Sequence, residues 1–565
     1  MGEISPRVEW NPMRAFRKED EEHLWFHDAV HNNPPISPMG SSVYHWPWGA
    51  SWAAEEVSFP NSRGFSYVLY YGRIYPGVIQ IKDEAEIRAR ARIFDEKIKE
   101  RIDNFPKLYA QLVEEWKRNL EYLAGIDKSK LPLDKLLMVL KEAVRISKRN
   151  WALHFVMQYP GYLAYQNLVE ICKKYGIEER DVRLLLQGFP TKMYEVDRAL
   201  WRLVRRAREL GIINYLIEEK PEELLSKLEK IENGRIWLNE FNNFLKLYGK
   251  RTQAAVFDVM YPTWLEDPMP VLNTLKTYAL RGDYDFEALD RKIAEEREKA
   301  VQEVLKKIPE EEKAEFLKAL KNAQNAYPMC TEDHNFYVEQ WTYAELRYVI
   351  LECGKRLAQY GILKDPNDVF FLTIYELYEV LEELIDDEKI GALHMTLRVR
   401  PLVEERKEVW KKLHDVSPPV VIGKVPETPV VDPIFIQTWG LTDEVIRGKV
   451  PLEVTDKLYG FPGSPGVAEG IARIILSYEE IDQVMPGDIL VVPFTTPAWT
   501  PVFSKIKAVV TDAGGMLTHA AICAREYGIP AVVGTMTKGP RATKVIKTGQ
   551  RIRVDGTNGV VEILK

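Results

Sequence analysis

The chain is poor in the residues that build cross-linked or metal-bound folds. Its 565 residues include four cysteines, Cys172, Cys330, Cys353 and Cys523. None stands in CxxC spacing, so the sequence indicates neither a disulfide framework nor a zinc site. No apolar run approaches the roughly 20 residues that a bilayer-spanning helix needs. The opening MGEISPRVEW lacks the basic-then-apolar layout of a secretory leader, and Pro6 stands where a myristoylation signal carries Ser or Thr. A basic excess is lacking too. The formal net charge is −7, which argues against general nucleic-acid binding, because phosphate backbones call for clustered cations. These absences lead to the expectation of a reduced, cytoplasmic protein with neither a nucleic-acid nor a membrane partner.

What is present is a globular composition, 46% apolar and 28% charged, on a chain too long for a single core. The expected fold is multidomain, a large mainly α-helical domain followed by a C-terminal α/β domain. Residues 1–83 are aromatic, with Trp10, Trp25, Trp46, Trp48 and Trp52 set among Pro34, Pro35, Pro38 and Pro47, so long helices are not expected there. Residues 84–415 turn to a helical period. Leu108, Leu112, Trp116, Leu120 and Leu123 recur at three- and four-residue spacing and define one buried face. Similar patterns cover 134–158, 195–218, 236–248, 284–322, 342–360 and 374–413. Residues 416–439 carry Pro418, Pro419, Pro426, Pro429 and Pro433 and read as an extended linker of limited flexibility. Residues 440–565 hold short β-rich runs, IARIIL, DILVVPF, KAVVTD and AVVG, and end on a hairpin, RIRVDGTNGVVEIL. This pattern predicts a compact domain tethered to the helices rather than packed into them.

The chemistry concentrates in DAGGMLTHAAICAREYGIPAVVG, residues 512–534. A strand runs into Gly514-Gly515. A helix then follows, favoured by Ala520, Ala521 and Ala524 and closed by Gly528 and Pro530. Thr518 is the expected N-cap, which puts His519 in the first turn, where unpaired N–H groups and the helix dipole favour an anion. The same field disfavours an imidazolium, so the ring keeps a lone pair. The paired glycines let a phosphate approach with no Cβ in the way. A phosphorylated imidazole can hand its phosphoryl group on, dividing one difficult transfer into two. A packed structural histidine fits the same residues. Cys523, one turn on, reads as a small buried helix residue rather than a metal co-ligand.

The stretch GGMLTHAAICAREYGIPAVVG resembles the phosphohistidine signature of the phosphoenolpyruvate-utilising, pyruvate-phosphate dikinase family. The likeness extends through GFPGSPGVAEGIAR at 460–473, PGDILVV at 486–492, TTPAWTPVF at 495–503 and the closing strand pair. It implies a swivelling domain whose His519 is phosphorylated in the working cycle, with Thr518 orienting the ring and Gly514 and Gly515 opening the approach. Arg525 becomes a candidate phosphate holder, although helical geometry sets it well round from His519. Neither an ATP-grasp domain, nor a glycine-rich phosphate loop, nor the family's pyruvate-binding barrel is recognisable. The resemblance therefore implies a separate ATP-grasp subunit that uses ATP with Mg2+ or Mn2+ and releases AMP and phosphate. It also implies an acceptor other than pyruvate.

FLKLYGKRT at 244–252, YPTWLEDP at 261–268, EDHNFYVEQWTYAELRYVILECGKRLAQYGIL at 332–363 and DVFFLTIYEL at 368–377 resemble the central region of rifampicin phosphotransferase and its relatives. That region binds an organic hydroxyl acceptor, and relatives commonly carry His where Lys250 stands. LWFHDAVHNNPPISPMG at 24–40 resembles the His-bearing subunit of phenylphosphate synthase, which implies a phenol. The acceptor's proton must leave as the O–P bond forms, and His27, Asp28, His31, His45 and His334 are the candidate bases. His27 and His31 lie four apart and would share a face on a helix. That spacing also suits a metal pair, but metals of phosphoryl transfer prefer oxygen ligands, and no metal is assigned. Lys250, Arg251 and Arg347 are candidate clamps for phosphoryl charge, or else solvated helix charges. The tryptophans of 46–52 are candidates to line an apolar pocket. The main expectation is phosphoryl transfer to a phenol. The alternatives are a non-catalytic phosphocarrier that docks a protein, and a phosphotransferase for a bulky hydroxyl compound such as an antibiotic. Pocket volume separates the last from the first.

Overall fold

The computed structural model describes residues 21–564 apart from 33, 253–256, 282–285, 417, 428–435, 437, 451–454, 477, 496 and 517. The aromatic N-terminal segment is more regular than its prolines suggest. Strand β1 (Leu24–Phe26) leads by a loop and a short helical turn, Pro38–Ser42, to helix α1 (Trp46–Val57), and strands β2 (Ser62–Tyr70) and β3 (Arg73–Gln80) form an antiparallel hairpin. Pro47 is compatible with α1 because it stands in the first turn, where the missing N–H has no intrahelical partner to lose.

The helical body is arranged around α2 (Leu133–Lys174), 42 residues long, which packs against α1, α3 (Lys313–His334) and α4 (Tyr343–Gln359). Of the predicted stripe, Leu112, Trp116, Leu120 and Leu123 sit in the core and Leu108 is half-buried against it. The other helical patterns appear with small offsets, and three of them are divided, the 195–218 pattern into Lys192–Glu209 and Ile213–Glu218. The 284–322 pattern becomes Phe286–Leu305 and the start of α3, and the 374–413 pattern becomes Ile374–Asp386 and Glu388–Leu413. Between α3 and α4 the chain does not leave the helix but widens into a π-helical stretch, Asn335–Thr342. Such stretches recur at functional sites, since the extra residue per turn turns side chains inward that an α-helix would space differently.

The C-terminal domain is an eight-stranded sheet. Strand β4 (Val421–Gly423) lies outside it; the sheet contains β5 (Lys457–Tyr459), β6 (Phe461–Ser464), β7 (Val467–Ile474), β8 (Ile489–Val492), β9 (Ala508–Thr511), β10 (Ala531–Val533), β11 (Arg551–Asp555) and β12 (Val560–Ile563), in the order β5-β12-β11-β7-β8-β9-β10-β6. The central pairs β7–β8, β8–β9 and β9–β10 are parallel. β8 and β9 are buried at every residue, as strands covered on both faces must be, which is why they read as unbroken apolar runs. The predicted closing hairpin is β11–β12. Helix α5 (His519–Glu526) follows β9 and packs on β6, β9 and β10.

The expected loose tether is not what the structure contains. Strand β4, at the start of the proline-rich segment, pairs antiparallel with β1. At its end Trp439 is buried and its indole N–H donates to Asp28 Oδ1 at 2.9 Å. Across the domains, Tyr527 donates to Asp197 Oδ2 at 2.7 Å, and Arg183 Nη1 lies 3.0 Å from Met516 Sδ. Proline content reports that a segment is extended, not what it lies against. Among the described residues no helix is long and apolar enough to cross a membrane.

Candidate functional site

The strand-to-helix turn predicted around His519 is present, with Thr518 extended at the N-cap and His519 as the first helical residue. The reason for Gly514 differs from the one the sequence suggested. Its φ is +100°, and an added Cβ would lie 2.5 Å from Thr518 Cγ2. Left-handed backbone and crowding inside the turn, rather than space for a ligand, demand glycine there. The Thr518 hydroxyl donates to Gly515 O at 2.7 Å, tightening the same turn.

Thr518 therefore does not orient the imidazole. Thr495 does, with its Oγ1 2.8 Å from His519 Nδ1. The other ring nitrogen, Nε2, lies 3.1 Å from Cys523 Sγ, a thiol that bonds only weakly. Burial, and then the nearby Arg251 guanidinium, push the His519 pKa down to about 3. The ring is therefore neutral at physiological pH. The neutrality expected from the helix dipole is reached mainly by removal from water.

His519, Thr518, Thr495 and Ile522 face a cavity of about 850 Å³ between the two domains. Its helical-domain wall presents His31, His154, His334 and Glu339, and an aromatic lining that includes Trp46, Phe65, Phe155, Tyr159 and Trp439. Asp28, fully buried behind His31, accepts His31 Nδ1 at 2.9 and 3.0 Å, Tyr44 Oη at 3.2 Å and the Trp439 indole. Burial pushes the Asp28 carboxyl up, but His31 and these hydrogen bonds outweigh it and leave it lowered. Burial lowers His31 in turn, and Asp28 more than restores it, so its pKa ends raised. A histidine whose imidazolium is supported by a buried carboxylate, facing the cavity, has the makings of a proton acceptor.

Residues 154–329 match the rifampicin phosphotransferase fourth domain, and residues 484–559 match the PEP-utilising enzyme mobile domain. The chain belongs to the phosphoenolpyruvate-utilising enzymes. Within that family it is related to rifampicin phosphotransferase. It is 31% identical to chondramide synthase cmdD of Chondromyces crocatus over 97% of this chain and 14% of that protein. It is 29% identical to a rifampicin phosphotransferase of Bacillus cereus over 82% of this chain and 50% of that one. A probable phosphoenolpyruvate synthase of Archaeoglobus fulgidus is 50% identical over 32% of this chain and 22% of its own length. The chain thus spans half or less of the length of each of these three relatives.

In this family member the other predicted site residues divide. His31 and His334 reach the cavity; His27 and His45 do not line it. The 27–31 segment is a loop, so the shared helical face fails: His27 stacks on Tyr75 and His31 on Phe257. His45 is buried against Ser147 Oγ at 2.9 Å. Of the tryptophans in 46–52, Trp46 lines the cavity, while Trp48 and Trp52 are exposed on α1. Arg251 lies close enough to His519 to shift it and stacks over Trp264. Lys250 instead pairs with Glu345 at 2.6 Å over the Trp341 ring. Arg347 is a buried brace, held by Glu266 at 3.0 Å and by the carbonyls of Val259 and Met260. Arg525 donates to Gly463 O at 2.6 Å and Met516 O at 3.0 Å, fastening the β6 end to the His519 loop. Sequence reading passed over Thr495, although it stands in the TTPAWTPVF stretch, and over His154, hidden in an ordinary helical period. Glu339 was unmarked because only the π-helical turn brings it inward.

Proposed function

We propose that this chain is the carrier and acceptor portion of a cytoplasmic phosphotransferase, in which His519 receives a phosphoryl group and passes it to a hydroxyl of a bulky organic molecule. The observation that carries this reading is that His519 opens onto the same cavity as the Asp28–His31 pair. A volume of about 850 Å³ lies in the range of pockets for drug-sized ligands and well above a phenol slot. The rifampicin phosphotransferases among the relatives favour the same bulky acceptor over the phenol expected from the N-terminal segment.

In this reading Thr495 holds Nδ1, and Nε2 is the nucleophile. An ATP-grasp module, expected on a separate subunit and using ATP with Mg2+ or Mn2+, charges His519 and releases AMP and phosphate while the carrier domain is swung away from the helices. On redocking, the acceptor oxygen attacks phosphorus and the P–N bond breaks with its electron pair returning to Nε2. The hydroxyl proton passes to His31, whose cation Asp28 stabilises. Arg251 supplies positive charge beside the transferred group.

The test is incubation of the chain with its ATP-grasp partner and β-labelled or, separately, γ-labelled ATP. Acid-labile label from the β position on wild type, absent from His519→Ala and discharged by bulky hydroxyl compounds, is the expected result. Label that phenol alone discharges would restore the narrower acceptor. Label that no hydroxyl compound discharges, with transfer to a protein instead, would replace the reading with a phosphocarrier.

A further inference from the structure

His154, His334 and Glu339 are unused by the reaction just described, although all three border its cavity. They come from different turns of the helical body: His154 from the middle of α2, His334 from the end of α3, and Glu339 from the π-helical turn that follows. All are at least nine-tenths buried, with 2%, 7% and 4% of their surface exposed. Two imidazoles and a carboxylate withdrawn from water together are costly unless something joins them. Two ring nitrogens here, His154 Nδ1 and His334 Nδ1, have no hydrogen-bond partner among the described residues. A buried ring nitrogen left in this way, as on His154, points to an ion or water that satisfies it, while His334 turns its other nitrogen, Nε2, toward Glu339.

The geometry points to a binding site for a divalent transition-metal ion, Zn2+ or an ion of similar preference, formed by His154, His334 and Glu339 in the cavity wall that faces His519. One donor atom from each residue lies within 4.8 Å of the others. Ligands about 2.0–2.2 Å from a four-coordinate ion stand roughly 3.4 Å apart, and His334 Nε2 and Glu339 Oε1 are 3.4 Å apart already. The amide nitrogen of Asn335, turned about its side-chain bond, would lie 3.2 Å from both of those atoms and donate to them, so an ion has to displace that amide to bind the pair. The His154 and His334 rings meet edge to face at 88°, with centroids 4.5 Å apart, so they adjoin without stacking. His154 also hydrogen-bonds Gln158, the outer contact that fixes the orientation of a metal-bound imidazole.

Two histidines and one carboxylate leave a coordination position open to the cavity, the ligand set of hydrolytic rather than structural zinc sites. Resting on the phosphotransferase reading, that position is the place for the acceptor hydroxyl, whose acidity the ion raises before its proton reaches His31. Binding of the ion itself does not depend on that reading.

The experiment uses the full chain, stripped with chelator and titrated with Co2+ and then Zn2+. Visible ligand-field bands of low-symmetry Co2+, displaced by Zn2+ at one ion per chain, are expected in wild type and in His519→Ala. Glu339→Gln, nearly isosteric, and His334→Ala are each expected to lose the bands and to weaken Zn2+ binding by at least about a hundredfold. Circular dichroism confirms that each variant is folded. Bands that persist in both variants, or that wild type never develops, overturn the proposal. A bound ion in a chain that discharges to no hydroxyl compound would leave the site intact and sink the phosphotransferase reading alone. Efficient transfer by a metal-free chain that binds no Co2+ would do the reverse.

Discussion

The Tyr527 hydroxyl donates to Asp197 Oδ2 at 2.7 Å, joining the end of the His519 helix to a helix 330 residues earlier in the chain. Asp197 is buried and also accepts the Tyr278 hydroxyl. In the proposed reaction it is a polar latch in the interface that the carrier domain leaves to be charged. A hydrogen bond to a charged acceptor contributes about 1.5–3 kcal/mol, so Tyr527→Phe is expected to shift the docked population toward the undocked one by roughly tenfold to a hundredfold. Small-angle scattering is expected to give a larger radius of gyration, and proteolysis between residues 416 and 439 to quicken. An unchanged envelope and unchanged cleavage rate would show that the latch does not govern docking.

Thr495 holds His519 Nδ1 at 2.8 Å. Thr495→Val keeps the shape and removes the hydroxyl, so the ring loses its fixed tautomer. One such bond is worth about 1 kcal/mol net, and the rate of His519 labelling is expected to fall by roughly fivefold. Thr495→Ser is expected to restore it. Nitrogen-15 chemical shifts of the His519 ring report the tautomer directly, and a shift pattern identical in wild type and Thr495→Val would contradict the assignment.

Gly514 and Gly549 both have positive φ, +100° and +92°, but a Cβ at Gly514 would strike Thr518 at 2.5 Å whereas one at Gly549 meets nothing within 4 Å. Gly549→Ala carries only backbone strain, on the order of 1 kcal/mol, and Gly514→Ala carries the clash as well, roughly 2–4 kcal/mol. Chemical denaturation of the two variants is expected to rank them in that order. Equal midpoints would mean that the turn relaxes freely.

His27 and His45 are both buried, and burial lowers each pKa to about 3. Between about pH 6.5 and 3 the unfolded chain binds protons at these positions that the folded chain does not, so stability falls as pH falls through that window. Once pH is well below 6.5, each histidine contributes a slope of roughly 1.4 kcal/mol per pH unit. Urea midpoints are therefore expected to drop between pH 7 and 5, and His45→Asn to flatten the drop. The neutral His519 ring, in contrast, is expected to be labelled as readily at pH 6 as at pH 8. A charging rate that rises with an imidazole-like midpoint near pH 6.5 would refute its lowered pKa.

Much of this protein was legible without coordinates, and the reason differs from part to part. The stripe through Leu112, Trp116, Leu120 and Leu123 is a local period, so its burial followed from spacing alone. Thr518-His519 at a helix start followed from capping and small-residue content. His27 and His31 misled because spacing of four carries meaning only on a helix, and the chain there is a loop. Arg347 and Arg525 misled because a guanidinium reads the same in sequence whether it meets a phosphate or braces backbone carbonyls.

The sequence by itself determined two architectures, the turn that presents His519, and the family to which the chain belongs, since each depends on neighbours in the chain. Only the tertiary structure decided that the domains are docked, that Thr495 rather than Thr518 holds the ring, and that His31, His154, His334 and Glu339 face it across one cavity. Those relationships join residues hundreds of positions apart, and they are fixed by packing between surfaces whose pairing no local pattern encodes.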